Sequence, residues 1–432
     1  MRFSSLAQWL AWQEQLHFTD IDPGLERVGI VWQRMGGSSR LPFKVVTVAG
    51  TNGKGSSVAI TASILQAAGY KTATYTSPHL LRYNERISID GVPCDDATIC
   101  HAFQRIDEAR GEVSLTYFEF ATLSAADIFC REAVDVAVLE VGMGGRLDAV
   151  NLFDTDVALI TPIGLDHTAW LGDNREQIGR EKAGIMRAGK PVVCSELTPP
   201  NSVIDHAAAI EAHCYQRGKD FDYEEGVNGW HWQNKDVNLP ELPWPALAGK
   251  YQLQNSAAVI EVCQLLRQQG LMISEQAIRQ GLESVRLSGR FQIIPGSVTR
   301  ILDVTHNQQG AENLRHLLLE TPYTGRTFAV LGMLKDKDCK AVATALHDVI
   351  DHWFVAGLDG ERGMSGEELA QNLSVLLSAE NLDAYDTVAA AYKAAMAAAV
   401  TGDRLLIFGS FHTVEAAMLL MPECQQPISR AV

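Results

Sequence analysis

The sequence predicts an α/β protein: a mostly parallel sheet flanked by helices and carrying a phosphate loop (P-loop), followed by a smaller Rossmann-like α/β unit. Three observations lead there. Apolar, β-branched runs alternate with helix-like segments from Lys44 to Val193, the pattern of strands joined by helical crossovers. The same alternation resumes near residue 300 and runs almost to the end of the chain. At the first strand-to-helix passage stands Gly50-Thr51-Asn52-Gly53-Lys54-Gly55-Ser56, where small residues let backbone N–H groups close around phosphate oxygens at a helix N-terminus.

The elements follow in order. Residues 1–43 form a helical lead-in, with Leu6, Trp9, Leu10 and Trp12 at near-helical spacing and a turn at Asp22-Pro23-Gly24 before a second helix. Strands are expected at 44–49, 71–76, 134–141, 156–161 and 190–194. Ligands of such sheets bind beyond the carboxyl ends of the strands, and polar clusters follow these strands. Residues 195–248 hold Trp230, Trp232 and Trp244 among polar residues and prolines, and read as a β-rich or loop insertion. The boundary falls at the Gly-containing stretch 287–291, so the expected domains are 1–286 and 292–432. The second domain carries strands at 300–304, 326–332, 353–357 and 404–409, with helices at 308–320, 338–350, 365–378 and 386–400.

Composition narrows the function. The chain of 432 residues is 47% hydrophobic with a formal net charge of −16, which argues against a nucleic-acid-binding surface. Its eight cysteines are scattered without a CxxC pair, as in a reducing compartment, and no zinc site is expected. The N-terminus lacks a signal-peptide core, and no run nears the ~20 apolar residues that span a bilayer. A soluble, cytoplasmic protein is expected.

Within the phosphate loop, Lys54 would reach the β/γ-phosphates and Ser56 offers a hydroxyl near the metal. The spacing departs from GxxxxGK[ST]: the first glycine is closer, and Gly55 separates Lys54 from Ser56. Glu140 ends the third strand, and a carboxylate at the tip of a buried strand beside a phosphate loop suits Mg²⁺. Thr116-Tyr117-Phe118-Glu119 opens a helix, and two aromatics beside a carboxylate either hold a flat heterocycle or face the core. His167 and Lys182, read alone, are a loop histidine and a surface lysine. Gly409-Ser410 opens the last helix, where Ser410 sits at a good position for a carboxylate anion.

The heptad GTNGKGS resembles the phosphate loop of the Mur ligase superfamily, and within it the dihydrofolate synthase/folylpolyglutamate synthase family. Further motifs extend the resemblance over nearly the whole chain: Ser77-Pro78-His79, Thr116 to Glu119 with Tyr117 in place of a Phe, Glu140 to Asp148, Asp166-His167, Glu181-Lys182-Ala183, Ser288-Gly289-Arg290-Phe291 with Ser288 for a Pro, and Asp303 to Gln308 with Thr305 and Gln308 for Ala and Pro. The resemblance implies an ATP-dependent ligase adding L-glutamate to dihydropteroate and to reduced folates. It implies ATP contacts at Thr51, Asn52, Gly53, Lys54, Gly55, Ser56, Asn255, Arg290, Asp303 and His306. It implies a pterin pocket from Asp22, Pro23, Gly24, Arg82, Thr116, Tyr117, Phe118, Glu119, Leu147, Asp148 and Ala149, with Arg86 at the entrance and Arg146 nearby. Glutamate would meet His306 and Ser410. Metal ligands would be Ser77, Glu140, His167 and a carbamylated Lys182, with Lys54, His167 and Lys182 acting in catalysis. The expected cofactors are a pair of Mg²⁺ ions, with ATP as co-substrate and no haem or flavin; the expected partners are small molecules, and the expected state is a monomer.

Two other readings fit the sequence less well. A cell-wall Mur ligase needs an additional N-terminal domain, and the 49 residues before Gly50 are too few for one. A non-catalytic nucleotide switch has no use for a second metal or a modified lysine.

Overall fold

The computed structural model describes residues 2–424; the last residues of the expected second domain, 425–432, lie outside them. Two compact units emerge. The first comprises the residues up to His79, Tyr83–Ala246 and Lys250–Arg286; the second comprises Leu80–Arg82, Leu247–Gly249 and the residues from Leu287 onward.

The first unit is built on β1 (Lys44–Ala49), β2 (Thr72–Tyr75), β3 (Ile87–Ile89), β4 (Val92–Pro93), β5 (Val136–Glu140), β6 (Val157–Ile160), β7 (Pro191–Cys194) and β8 (His213–Gln216). They form one sheet in the order β4-β3-β2-β5-β1-β6-β7-β8. From β2 to β8 every pairing is parallel, and β3 and β4 add an antiparallel edge. Val45, Val46, Val48 and Ala49 of β1 are all buried, as a parallel strand covered by helices on both faces requires. Register aligns the strand tips: Val48 faces Glu140, Ala49 faces Ile160 and Tyr75 faces Leu139. The residues that follow these four strands therefore emerge on one edge of the sheet.

The interval 195–248 is ordered. It supplies a helix (Asn201–Ala209), the edge strand β8, and a separate antiparallel sheet of β9 (Phe221–Glu225), β10 (Trp230–Asn234) and β11 (Asn238–Leu242). Its tryptophans anchor it: Trp230 and Trp232 are fully buried, and Trp232 Nε1 donates to the Ala257 carbonyl at 2.9 Å. Beside that contact Glu261 is 2% exposed, with Asn234 Nδ2 donating to it at 3.0 Å. Burial first, then nearby Asp220 and Asp236, push its carboxyl up to about 7. The folded state therefore binds a proton more tightly than the unfolded chain, and this residue costs stability as pH rises from about 4.5 towards 7. Glu261→Gln keeps an acceptor for Asn234 and removes the buried charge. It should raise stability at pH 8 by on the order of 1–3 kcal/mol and leave it nearly unchanged at pH 4.5. Denaturant midpoints at the two pH values check this; equal midpoints at pH 8 refute it.

The second unit holds β12 (Gln292–Ile294), β13 (Thr299–Leu302), β14 (Thr327–Leu331), β15 (His352–Ala356), β16 (Leu382–Tyr385) and β17 (Arg404–Phe408) in the order β12-β13-β17-β14-β15-β16. All pair in parallel except β12, which runs antiparallel to β13. The expected helix at 386–400 spans Val388–Ala398 and is preceded by β16, a short edge strand. Four residues with only intermediate or exposed side chains carry too little apolar signal to be read as a strand.

Candidate active site

The phosphate loop leaves β1 at Gly50 and enters the helix Lys54–Ala67, capped by Gly53 in the left-handed region at φ +87°. A side chain there would also meet Asn255: the Cβ position lies 2.6 Å from Asn255 Oδ1. The loop is pinned to the segment after β6, with Thr51 N donating to the Pro162 carbonyl at 2.8 Å and Thr51 Oγ1 to the Gly164 carbonyl at 3.0 Å. Asn255 Nδ2 donates to Gln252 Oε1 at 2.9 Å, and Gln252 Nε2 to Ser56 Oγ at 3.2 Å. All three residues are buried, so Ser56 lies in a network that ties the loop to the helix Tyr251–Gln268. Gln252 escaped the sequence reading; its position three residues before Asn255, one helical turn away, is the signal that could have found it.

Two lysines meet at one carbonyl. Lys54 Nζ donates to the Gly50 and Thr51 carbonyls, each at 3.2 Å, and Lys182 Nζ donates to the Gly50 carbonyl at 2.8 Å. Lys182 comes from the helix Arg175–Ala183 and is 4% exposed, so it is no surface lysine. Burial, and then the Lys54 charge, lower its ammonium to about 7, against the opposing pull of Asp166 and Asp148. Asp166 thus belongs to the electrostatic surroundings of Lys182. Next to it, His167 holds a left-handed backbone at φ +50° and caps the short helix Thr168–Leu171, with its N–H donating to Asp166 Oδ1 at 2.8 Å.

Glu140 ends β5, 5% exposed, and its Oε2 accepts from Ser77 N at 3.4 Å. A buried carboxylate and a serine on adjoining strand ends are hard oxygen donors that fit Mg²⁺. Among the described residues no three His, Cys, Asp or Glu side chains converge on one point. Such a thin protein share suits an ion that fills its shell with phosphate oxygens and water. Glu140→Gln should raise the Mg²⁺ concentration for half-maximal activity at least about tenfold with folding little changed; an unshifted titration moves Glu140 to a structural role.

A second cluster surrounds the helix Tyr117–Arg131. Thr116 and Glu119 form a reciprocal capping box, Thr116 N donating to Glu119 Oε2 at 2.8 Å. Arg27 donates to the other oxygen of Glu119 at 3.1 Å, so both Glu119 oxygens are engaged within the protein. Gly24 N donates to the Leu147 carbonyl at 3.2 Å, which joins the turn of Asp22 and Pro23 to the Leu147-Asp148-Ala149 stretch. The Cβ position of Gly142 lies 2.6 Å from the Phe118 ring, and Phe118 packs 5.8 Å from the Tyr75 ring. Asp148 accepts from Met143 N at 2.9 Å and Val150 N at 3.0 Å. Burial outweighs these bonds and lifts its carboxyl to about 6. Arg86 lies 5.5 Å from both the Tyr83 and Tyr117 rings and donates to His79 Nδ1 at 2.8 Å. Arg82 falls in the second unit, and Arg146 pairs with Glu181 at 2.9 Å with a half-exposed side chain.

Within the second unit, Asp303 brackets two turns, accepting from Phe291 N and Thr305 N at 2.8 Å each. His306 Nδ1 donates to the Val304 carbonyl at 2.9 Å, which puts a proton on Nδ1. Arg290 lies 5.7 Å from the Phe411 ring. Ser410 Oγ caps the helix Phe411–Met418, accepting from Thr413 N at 3.0 Å. The Thr305 carbonyl accepts from Gly409 N at 3.0 Å, so the loops after β13 and β17 adjoin. The loop after β14 adds Lys337, whose side chain is 8% exposed beside Asp336.

A strand, a glycine turn and a helix N-terminus with two lysines on one carbonyl and a carboxylate at the neighbouring strand tip make this an α/β nucleotide-binding protein of the phosphate-loop class. Residues 48–263 match the Mur ligase middle domain, and residues 289–411 the Mur ligase glutamate ligase domain. The dihydrofolate synthase/folylpolyglutamate synthase of Escherichia coli is 45% identical, covering 96% of this chain and 95% of that one; its Haemophilus influenzae counterpart is 41% identical over 95% and 96%. The chain belongs to the dihydrofolate synthase/folylpolyglutamate synthase family. Among solved structures, the E. coli enzyme in complex with DHPP and ADP superposes with a TM-score of 0.91 at 44% identity, covering 98% and 99% of the two chains. The Yersinia pestis enzyme with AMPPNP and Mn superposes at 0.87, with 43% identity and 97% and 98% coverage. No described helix is long and apolar enough to cross a membrane.

Proposed function

We propose that this protein ligates L-glutamate to dihydropteroate, forming dihydrofolate, and to reduced folates, extending their glutamate chains, at the expense of ATP. The observation that carries the reading is the meeting of Lys54 and Lys182 on the Gly50 carbonyl, beside a strand-tip carboxylate and among the motifs of a ligase family matched over 96% of the chain. A carboxylate oxygen of the pteroate or folate attacks the γ-phosphorus, and ADP leaves. The amine of glutamate then attacks the acyl phosphate carbon, loses a proton and expels phosphate, leaving the amide. The chain's work is to position the reactants and to stabilise charge.

Lys54 and the loop N–H groups offset charge on the phosphates. Ser77 and Glu140 would hold a divalent ion, with His167 and carbamylated Lys182 holding a second, and bound there a cation neutralises charge on the transferring phosphoryl group. Asn255 serves the adenine, Arg290 of the linker 287–291 and Asp303 and His306 of the domain 292–432 are assigned to nucleotide, and His306 and Ser410 receive glutamate. The 22–24 turn, Thr116 to Glu119 and Leu147 to Ala149 form the pterin site. A related structure holds Mn, AMPPNP and L-glutamate, which supports a divalent metal, a nucleotide and glutamate as ligands. The enzyme acts as a monomer in the cytoplasm, on small molecules alone. Phosphate release should require pteroate and glutamate together. Release with ATP alone at the full rate would leave a nucleotide hydrolase or switch, and activity only on a cell-wall precursor would move the chain to another Mur branch.

A further inference from the structure

Residues 14–25 link the first helix to the second without regular secondary structure. At the centre of this link is His17, a residue with no part in the reaction above. Its side chain is 4% exposed. Nδ1 lies 2.7 Å from Ser114 Oγ, and Nε2 lies 3.1 Å from Asp22 Oδ2. A carboxylate only accepts, so Nε2 carries a proton and donates. Ser114 Oγ also lies 3.0 Å from the Leu16 carbonyl, which fixes the ring to the segment that leads into the helix Tyr117–Arg131. From the other side, Arg27 NH1 reaches Asp22 Oδ2 at 2.6 Å, while its NH2 donates to the Asp22 carbonyl at 2.7 Å and to Glu119 Oε1 at 3.1 Å. Ser114, His17, Asp22, Arg27 and Glu119 thus form one continuous chain.

The chain is asymmetric at Asp22. Both cationic or N–H donors use Oδ2, and among the described residues nothing donates to Oδ1. The far end of the chain, Glu119 and Thr116, is buried, whereas the Asp22 side chain is 31% exposed. Two donors on one oxygen fix the carboxylate's rotation and leave the other oxygen open to a ligand. With Arg27 alone the group could swing about that single contact. An exposed ion pair would be worth little, but a nearly buried imidazole N–H on a carboxylate is a charge-assisted bond whose loss is felt.

We infer that His17 is a positioning residue: by holding Oδ2 it presents Asp22 Oδ1 to the N–H edge of the pterin ring and so sets affinity for the pteroate and folate substrates without entering the phosphoryl chemistry. This rests on Asp22 belonging to the pterin site. The test is steady-state kinetics with His17→Ala, Asp22→Asn and the double variant. His17→Ala should raise KM for dihydropteroate about tenfold, with kcat and the KM for ATP within about twofold. The double variant should be little worse than Asp22→Asn, because two residues acting through one contact are not additive. His17→Gln, which restores a donor, should recover part of the affinity. If His17→Ala does not fold, His17→Gln and Ser114→Ala carry the test, each with a raised pteroate KM and an unchanged ATP KM. A pteroate KM unchanged in His17→Ala while Asp22→Asn raises it overturns the inference and leaves the pterin site standing. No effect of Asp22→Asn overturns both. Equal losses toward pteroate and ATP would mean a purely structural histidine.

Discussion

Replacing Lys182 with alanine is expected to remove nearly all turnover, on the order of 10²–10³-fold or more, while ATP still binds through Lys54 and Glu140. The reason lies in what the structure does to the amine. Burial and the Lys54 charge bring its ammonium to about 7, so near neutrality a large share is the free base. A free amine attacks CO₂ at carbon and loses a proton, which converts a cation that repels Mg²⁺ into a carboxylate-like anion that attracts it. Short carboxylic acids added to the Lys182→Ala protein should restore part of the activity by placing an oxygen ligand in the emptied space. A crystal of the active enzyme equilibrated with CO₂ should show a branched, planar extension on Lys182; a plain ammonium there would falsify the carbamate role. Stability gives a second check. Freed of CO₂, the folded state holds this proton less tightly than the unfolded chain, so the unmodified Lys182 makes wild-type stability rise with pH between about 7 and the ordinary lysine value of 10.5. That slope should be missing from Lys182→Ala.

Lys54→Ala should lose turnover by about 10²–10³-fold, because a partly buried cation leaves the phosphate site and nothing within the loop replaces it. The fold should survive, since Lys54 Nζ donates to the Gly50 and Thr51 carbonyls of its own loop and Gly53 still starts the helix. The loss should differ in kind from that of Lys182→Ala: weaker nucleotide binding, read by titration with a non-hydrolysable ATP analogue, and no rescue by small acids. Normal turnover in folded Lys54→Ala protein would remove the phosphate-loop assignment.

How much was legible in the chain depended on how far each signal reached. The glycine turn, the strand before it and the helix after it are adjacent in sequence, so the phosphate loop could be read directly. Glu140 could be placed because a buried parallel strand ends where its apolar run ends. The capping box of Thr116 and Glu119 is likewise a three-residue pattern, though its partner Arg27 is distant in sequence and pairs with Glu119 only once the helices pack. Short polar strands such as β8 and β16 left no such trace, because their pairing is stabilised by neighbours rather than by their own side chains.

Lys182 marks the limit. Its sequence neighbours, Glu181 and Arg180, describe a solvated helix, and only resemblance to a family suggested otherwise. The fold seats that helix so that Nζ reaches Gly50, a residue 132 positions away, and the burial that follows is what changes its chemistry. The same holds for His17, whose two partners lie 97 and 5 positions away. By itself the sequence determined the α/β alternation, the phosphate loop and the strand tips that bear the polar clusters, because these follow from local spacing and apolar periodicity. Which lysine is buried, which oxygen of Asp22 is held and which serine is occupied by Gln252 were decided only by tertiary packing, because desolvation and hydrogen-bond pairing depend on what the rest of the chain brings alongside.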